Sequence, residues 1–580
     1  MKLELLKGSR SRILAAMVFI IMAVFIVRLF YLQIIQHDYY VSLANQEQQA
    51  QFKIPASRGL IYAKSGDKTV GLVMNETVYT VFADPQVVDD KAKVVETMKQ
   101  IAGGNVRTNF DTLLDKKESR YQIIATKVTR VQADKIKAAE LHGIGFQEVS
   151  QRVYPEGQLA AQILGFVNAE GVGNYGIESA LDDELKGKDG LLKTVKDVSN
   201  VPLTIGGNNI NIPKVDGKNV VLSVDRNIQS HTEQALAAGL QRTGATKGSV
   251  LVMDPQTGRV LAMANLPTYS PAEFNKVEDA AAFNNDTISA PYEPGSDVKT
   301  FTMATGIDKG VVKASDTYNN TDYITVDDRT ITNATKGHTG IITFQTALTW
   351  SLNTGFVTVA QRLGNGKEIN KQARDTMYEY FHDRLGLGEK TGIELANEAQ
   401  GTVISPDEAD GNAVRYSNMA FGQGLDATMI QVSSGFSALV NGGNYYKPTI
   451  LDGYIDSAGE YHQNPTPAPS KPGVVSASTS DQIREMTHLA RSSAFSSVDK
   501  QGYYIGGKTG TSQVIVNGQY SNTETVGTYL GYGGADQAKY VIMVQVSGKD
   551  KELQGARDAL PIFTDISNWM LDYLKIQPKG

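Results

Sequence analysis

The chain has no cysteine in its 580 residues, which excludes disulfides, thiol nucleophiles and Cys-ligated zinc, and leaves the compartment unreadable from redox chemistry. Histidine is scarce, with seven residues at positions 37, 142, 231, 338, 382, 462 and 488. None falls in a His-x-His or His-Glu-x-x-His spacing, so no metal centre is expected. An excess of charge of one sign is also lacking: 56 basic residues stand against 62 acidic ones, a net of −6, which gives no electrostatic case for a nucleic-acid partner. No internal repeat is visible, and long apolar runs are missing everywhere except near the N-terminus. The length suggests two or three folded units, at roughly 100–200 residues each.

The exceptional run is ILAAMVFIIMAVFIV, residues 13–27, continued after Arg28 by LFYLQII, and it approaches the roughly 20 apolar residues that cross a bilayer. Lys2, Lys7, Arg10 and Arg12 precede it against one acid, Glu4. The positive-inside rule then predicts a cytoplasmic tail over 1–12, an anchor over 13–35 in the plasma membrane, and the rest of the chain outside. Phe30, Tyr31 and Leu32 stand where a signal peptide would need small residues, so a cleaved leader is disfavoured. Arg28 is read as reaching to the outer interface.

Beyond the anchor, residues 45–205 mix short patterns, among them a strand-like VYTVFA at 78–83 and a helical VQADKIKAAEL at 131–141. They cluster no Ser, His, Asp or Glu at catalytic spacing and read as a spacer domain. A junction and lead-in occupies 206–246, and the Gly-, Asn- and Pro-rich SNVPLTIGGNNINIPKVDGKN, 199–219, marks the break that opens it. NVVLSV at 219–224 alternates as a strand, Asp225 is placed to cap a helix, and Ile228, Thr232, Ala235 and Leu236 form a stripe at helical period. GSVLVMD, 248–254, and RVLAMAN, 259–265, flank the turn PQTG as a hairpin. An α+β domain over 247–575 is the natural reading, with QNPTPAPSKPG, 463–473, as a solvated loop.

Within that domain YEPGSDVKTF, 292–301, places Ser296 and Lys299 three apart at the start of a helix, a spacing that puts both on one face. The spacing alone decides nothing, since it recurs at Ser65/Lys68 and Ser497/Lys500. Two more short motifs follow: Ser351-Leu352-Asn353, and Lys508-Thr509-Gly510 in YYIGGKTGTSQVIV. The second has a twin, Lys390-Thr391-Gly392 in GLGEKTGIEL. The later copy is preferred, because a Gly pair precedes it and a β-branched run suited to an edge strand follows. A serine hydroxyl needs a base, and with no histidine near any of these motifs the amine of Lys299 is the available one. To serve, it must be pushed below its ordinary value of about 10.4 by burial or a neighbouring cation such as Lys508. Asp297, two residues from Lys299 and so off its helical face, is expected to point away from the site.

In the order Ser-x-x-Lys, Ser-x-Asn, Lys-Thr-Gly the chain resembles the penicillin-binding proteins, the serine transpeptidases of peptidoglycan synthesis. AFGQGLDATMIQV (420–432) and LVNGGNYYKP (439–448) strengthen the likeness, and RLFYLQI (28–34), SRGLIYAKSG (57–66) and RVYPEGQLAAQILGFVNAEGVGNYGIE (152–178) resemble the pedestal of the class B members. The resemblance implies a single-pass anchor, an elongated pedestal, and a transpeptidase domain built on an antiparallel sheet with helices on both sides. It implies Ser296 as nucleophile, Lys299 as base, Ser351 as proton relay and Asn353 as a substrate-amide ligand. Lys508 with Thr509 and Thr511 would hold a terminal carboxylate, the amides of Ser296 and Thr511 would form the oxyanion hole, and Gly510 would admit the substrate backbone to the strand edge.

The implied substrate is the D-Ala-D-Ala end of a stem peptide, with β-lactams as inhibitors and no cofactor. Implied partners are a multi-pass membrane glycosyltransferase and division proteins, GFVNAEGVGNYGIE favouring a division role over elongation. A β-lactam sensor, a non-catalytic scaffold, and a carboxypeptidase or β-lactamase are the competing readings. Two departures from the family pattern stand out: Ala63, Lys64 and Ser65 before Gly66, and the acidic Asp297 directly after the nucleophile.

Overall fold

The computed structural model describes residues 9–40, 49–195, 210–516 and 519–579; most of the Gly- and Asn-rich junction lies outside them. The apolar run forms one helix, Ser9–Phe30, extended by a wider turn over Tyr31–Ile35. The span Arg10–Ile35 is long and apolar enough to cross a membrane, and no residue of its apolar core is buried by protein. A helix apolar all round that finds no protein to cover it belongs in lipid, and this segment anchors the chain to a membrane.

Contacts divide the chain into two compact units, one made of Met1–Arg58 with Gly187–Gly217, the other of Gly59–Lys186 with Lys218–Gly580. In the first, Gly190–Val195 is the central strand of an antiparallel sheet between Gln49–Ile54 and Ile210–Ile212. The second unit joins the expected spacer to the expected catalytic region. The physical reason is one sheet: the predicted strand Asn219–Asp225 pairs parallel with Ile61–Ser65 and antiparallel with Leu451–Ile455. VYTVFA is the end of a long strand, Lys68–Ala83, in the same sheet. It also pairs with Ile144–Val153, whose Arg152 bonds Glu178 at 2.9 Å and Asn75 at 2.8 Å. The Arg152–Glu178 pair is almost fully buried, so RVYPEG and GNYGIE meet through one buried ion pair whose members stand 26 apart in the chain.

The catalytic region is built on a five-stranded antiparallel sheet. Its elements, in chain order, are helix α1 (Arg226–Thr243), strands β1 (Lys247–Met253) and β2 (Val260–Leu266), helices α2 (Lys299–Asp308), α3 (Asn353–Leu363), α4 (Met429–Val440) and α5 (Ala477–Phe495), strands β3 (Gly506–Val516), β4 (Gln519–Gly534) and β5 (Ala538–Ser547), and helix α6 (Leu560–Tyr573). Strand order is β2-β1-β5-β4-β3, which leaves β3 at an edge. Period-2 alternation sends successive side chains to opposite faces. Val250, Val252, Ile542 and Val544 pack with α1 and α6, while Leu251, Met253, Val541 and Met543 pack with α2, α4 and α5. Helices thus cover both faces.

Local chemistry fixes the ends that matter. Asp225 caps α1, its Oδ1 accepting from the amides of Asn227 and Ile228, and Ile228, Thr232, Ala235 and Leu236 are the buried stripe. Residues 299–307 of α2 are all buried; Phe301 alone, fully covered and edge-on to Phe381, contributes about 1.5–3 kcal/mol by its burial. The turn that bears Ser296 therefore leads into a fully packed helix.

Candidate active site

Ser296 lies in a tight 3₁₀ turn, Gly295–Val298, that runs directly into α2. The turn is pinned from two sides. The amide of Gly295 donates to Gly422 O at 2.9 Å, and Tyr292 and Ala427 exchange backbone hydrogen bonds, so the stretch AFGQGLDA backs Ser296. On the other side Ser512 Oγ of β3 donates to Glu293 O at 2.7 Å. Gly295 adopts a φ of +58°, and a Cβ there would lie 2.5 Å from Ser512 Oγ; one on Gly422 would lie 1.8 Å from Gly295 O. Two glycines are required because two backbones and a strand converge on one serine.

Ser351 sits between helix Phe344–Thr349 and α3, in the left-handed region at φ +56°. Non-glycine residues are held there only by their surroundings, and here the strain aims both its carbonyl and its hydroxyl at one amine. Lys299 Nζ donates to Ser351 O at 2.7 Å and to Ser351 Oγ at 3.0 Å. Ser351 Oγ donates to Ser296 Oγ at 3.0 Å, and Lys508 Nζ reaches the same Ser351 Oγ at 2.9 Å. The hydroxyl of Ser351 is therefore the hub, and the path from Lys299 to Ser296 runs through it.

Both lysines are buried, Lys299 to 1% exposure and Lys508 to 3%. Burial pushes Lys299 well below the ordinary lysine value, and the positive charge of Lys508 pushes it further down. Lys508 is also lowered by burial, but Asp297 opposes the shift. Two ammonium groups on one hydroxyl repel, and the lowering of Lys299 favours its neutral form.

Asp297 does turn away from Lys299, yet it does not leave the site. It is fully buried beneath β3, its Oδ2 accepting from Thr528 Oγ1 of β4 at 2.7 Å. A Cβ on Gly510 would lie 2.1 Å from Thr528 Oγ1 and 2.9 Å from Asp297 Oδ2. The missing side chain of Gly510 thus faces this buried pair, and its absence makes room beneath the strand.

The cleft above these groups has a volume of about 720 Å³, and Thr509 and Thr511 stand along its β3 wall. Thr509 Oγ1 lies 3.4 Å from Lys508 Nζ, and Thr511 Oγ1 accepts from the amide of Gly555 at 3.2 Å. Asn353 donates its Nδ2 to Thr332 O at 2.9 Å, tying α3 to the hairpin Tyr323–Val326/Arg329–Thr332, so its Oδ1 is the atom left for a ligand. Sequence reasoning missed Thr330, Thr332 and Gln554 as cleft walls, and no spacing signals them. Gln423 also lines the cleft and was legible only as part of AFGQG. Asp456 and Glu460, on the loop joining Leu451–Ile455 to Tyr461–Gln463, and His462, in the second of those strands, bring ligand atoms within 4.8 Å of one another; they lie at the other sheet and take no part in the cleft.

Comparison with known proteins gives the same reading. The family described as penicillin binding protein transpeptidase domain matches residues 248–568, and the penicillin-binding protein dimerisation domain matches 53–222. Stage V sporulation protein D of Bacillus subtilis is 29% identical over 577 residues, covering 98% of this chain and 87% of that protein. The Neisseria gonorrhoeae protein named "Probable peptidoglycan D,D-transpeptidase PenA" is 25% identical over 98% of this chain and 94% of its own length. Penicillin-binding protein 3 of Mycobacterium tuberculosis, solved in complex with aztreonam, shares the fold with a TM-score of 0.67 at 24% identity, over 91% of this chain and 98% of that one. With a transpeptidase family matching more than half of its length and a dimerisation family matching the region before it, the chain belongs to the class B penicillin-binding proteins, the serine-type transpeptidases of peptidoglycan.

Proposed function

We propose that this membrane-anchored peptidoglycan D,D-transpeptidase acylates Ser296 with the D-Ala-D-Ala end of a stem peptide and works in septal wall synthesis. The observation that carries the chemistry is the single hydroxyl of Ser351 bonded to Lys299, Lys508 and Ser296 at 3.0, 2.9 and 3.0 Å. Ser296 Oγ attacks the penultimate carbonyl as its proton passes through Ser351 to the neutral amine of Lys299. The amide of Ser296, at the positive end of the turn that leads into α2, and the amide of Thr511 take the oxyanion; such preorganised donors supply a large share of catalysis. Lys299 returns its proton through Ser351 to the departing D-alanine amine. An amine from a neighbouring stem peptide then attacks the acyl-enzyme, loses its proton along the same route, and closes the crosslink.

The unpaired edge of β3 suits a substrate backbone added as a further strand, and Lys508 with the hydroxyls of Thr509 and Thr511 would hold the terminal carboxylate. Asn353 Oδ1 would accept from a substrate amide. β-Lactams, which the mycobacterial relative binds in the form of aztreonam, would acylate the same serine. Residues 53–222 would serve as the pedestal and 248–568 as the catalytic domain. Basic residues Lys2, Lys7, Arg10 and Arg12 orient the N-terminus to the cytoplasm and the cleft to the outside. Septal work with a multi-pass glycosyltransferase and division proteins is supported by the likeness of GFVNAEGVGNYGIE to division-type members.

Labelling of the full chain with a fluorescent penicillin tests the assignment. Covalent label is expected on the native protein and on Ser65→Ala and Ser497→Ala, and is lost in Ser296→Ala; label that persists in Ser296→Ala overturns it. Incubation with a stem pentapeptide and an acceptor amine separates transfer from hydrolysis: crosslinked product is expected, and release of D-alanine with tetrapeptide alone would make the protein a carboxypeptidase.

A further inference from the structure

Ser351 Oγ has two buried lysine amines on it, at 3.0 and 2.9 Å. They share one environment and one hydroxyl partner, so burial alone does not say which of them is the cation. Asp297 breaks the tie. Its carboxylate lies under Gly510, and Lys508 and Gly510, two apart on β3, direct their Cβ positions to the same face of the strand. The carboxylate therefore sits on the side of β3 from which Lys508 enters the cleft, and it is off the face of α2 that carries Lys299. Only one of its oxygens is bonded: Oδ2 accepts from Thr528, while Oδ1 is buried without a partner. A carboxyl group left half-satisfied inside a protein is costly unless a charge nearby compensates it, and the nearby charge is Lys508.

We propose that Asp297 is a positioning residue for acylation, whose buried carboxylate assigns the cation to Lys508 and thereby leaves Lys299 as the neutral base. This rests on the reading of Ser296 as the acylated serine. The titratable groups that face Asp297 are Lys508 from β3, Tyr292 from the segment before the nucleophile turn, and Tyr529 from β4, itself hydrogen-bonded by Arg491 of α5. Both phenols are held protonated by burial, so the ionic partner is Lys508. Burial raises the Asp297 value to about 7 against the pull of its Thr528 hydrogen bond and of Lys508, and it lowers the Lys508 value to about 8 against the pull of Asp297, so each charge favours the other.

The test is the pH profile of acylation by a fluorescent penicillin, measured on the full chain and on Asp297→Asn and Asp297→Thr. Both variants remove the charge at nearly constant volume, and only Asn keeps a carbonyl oxygen at the place where Oδ2 accepts from Thr528, the Thr hydroxyl being one bond shorter. Without the carboxylate Lys508 gives up its proton at lower pH, so the alkaline limb of the profile should move down by a similar amount in both variants. A limb moved by one pH unit means about a tenfold slower reaction on its falling side, with rates near native on the acid side of the optimum.

Restoring a carboxylate at nearly the same place, in Asp297→Asn/Thr528→Asp, should move the limb back. A loss equal at every pH, an unmoved limb, or a defect in Thr but not in Asn would overturn the proposal and make Asp297 a structural strut. So would failure of both single variants to fold, read from thermal unfolding. Loss of label from Ser296→Ala remains a separate observation, so a wrong nucleophile and a wrong role for Asp297 give different results.

Discussion

The triplet Lys-Thr-Gly occurs twice in this chain, and the two copies have little in common beyond their letters. At 508–510 it lies near the start of an edge strand, with Lys508 buried and bonded to Ser351. At 390–392 it lies in a loop after the turn Glu379–Arg384, with Lys390 exposed. There Thr391 donates both its amide and its hydroxyl to Glu398 Oε1 at 2.6 Å, and the Gly392 amide donates to Oε2 at 2.9 Å. The glycines also serve different ends: Gly392 takes a φ of +71° with only the flexible end of Lys447 near its would-be Cβ, whereas Gly510 has Thr528 and Asp297 directly beneath it. One glycine is chosen for the sign of its dihedral and the other for what it covers. The lysine gains chemistry from burial beside a second lysine, and the triplet itself confers none.

The largest contrast should come from the lysines. Lys508→Ala removes the proposed cation of the cleft and should slow penicillin acylation by about 10²–10³-fold, the scale of losing one preorganised electrostatic contact, while Lys390→Ala should leave the rate unchanged. Equal rates for the two variants would erase the distinction. The glycines come next. Gly510→Ala drives a methyl against Thr528 Oγ1 and Asp297, an overpacking that costs about 1–3 kcal/mol and should also slow acylation, because β3 must move. Gly392→Ala should cost about 1–2 kcal/mol for its left-handed backbone, with acylation intact; thermal midpoint and acylation rate, measured together, separate the two.

The sequence made legible whatever depends on local spacing. The apolar run, the cap at Asp225, the hairpin β1–β2 and the edge position of β3 follow from periodicity and turn chemistry within a few residues. Grouping Ser296, Lys299, Ser351 and Lys508 needed three motifs in order, since each motif alone has a decoy or is common. What stayed hidden depends on pairs far apart in the chain. That Asp297 faces away from Lys299 follows from helical geometry, but that Thr528, 231 residues downstream, waits beneath Gly510 does not. The same holds for Ser351 as the hub, for Asn353 holding Thr332, and for the sheet that joins 61–65 to 219–225. Such contacts are set by tertiary packing, which no local pattern encodes.

The smallest effect expected in this comparison belongs to Glu398. Its two oxygens collect three hydrogen bonds from Thr391 and Gly392 in a half-exposed loop. In Glu398→Gln one oxygen can still accept from Thr391, but an NH₂ group would face the Gly392 amide, donor against donor. Because that end of the loop is open to water, solvent takes over the lost bond, and the cost is about 0.5–1 kcal/mol, or about 1–2 °C in the thermal midpoint. Acylation should not change at all, since the loop carries no group of the cleft. A fall in acylation with the midpoint preserved would mean that the second triplet communicates with the first, and the two copies would then have to be treated as one system.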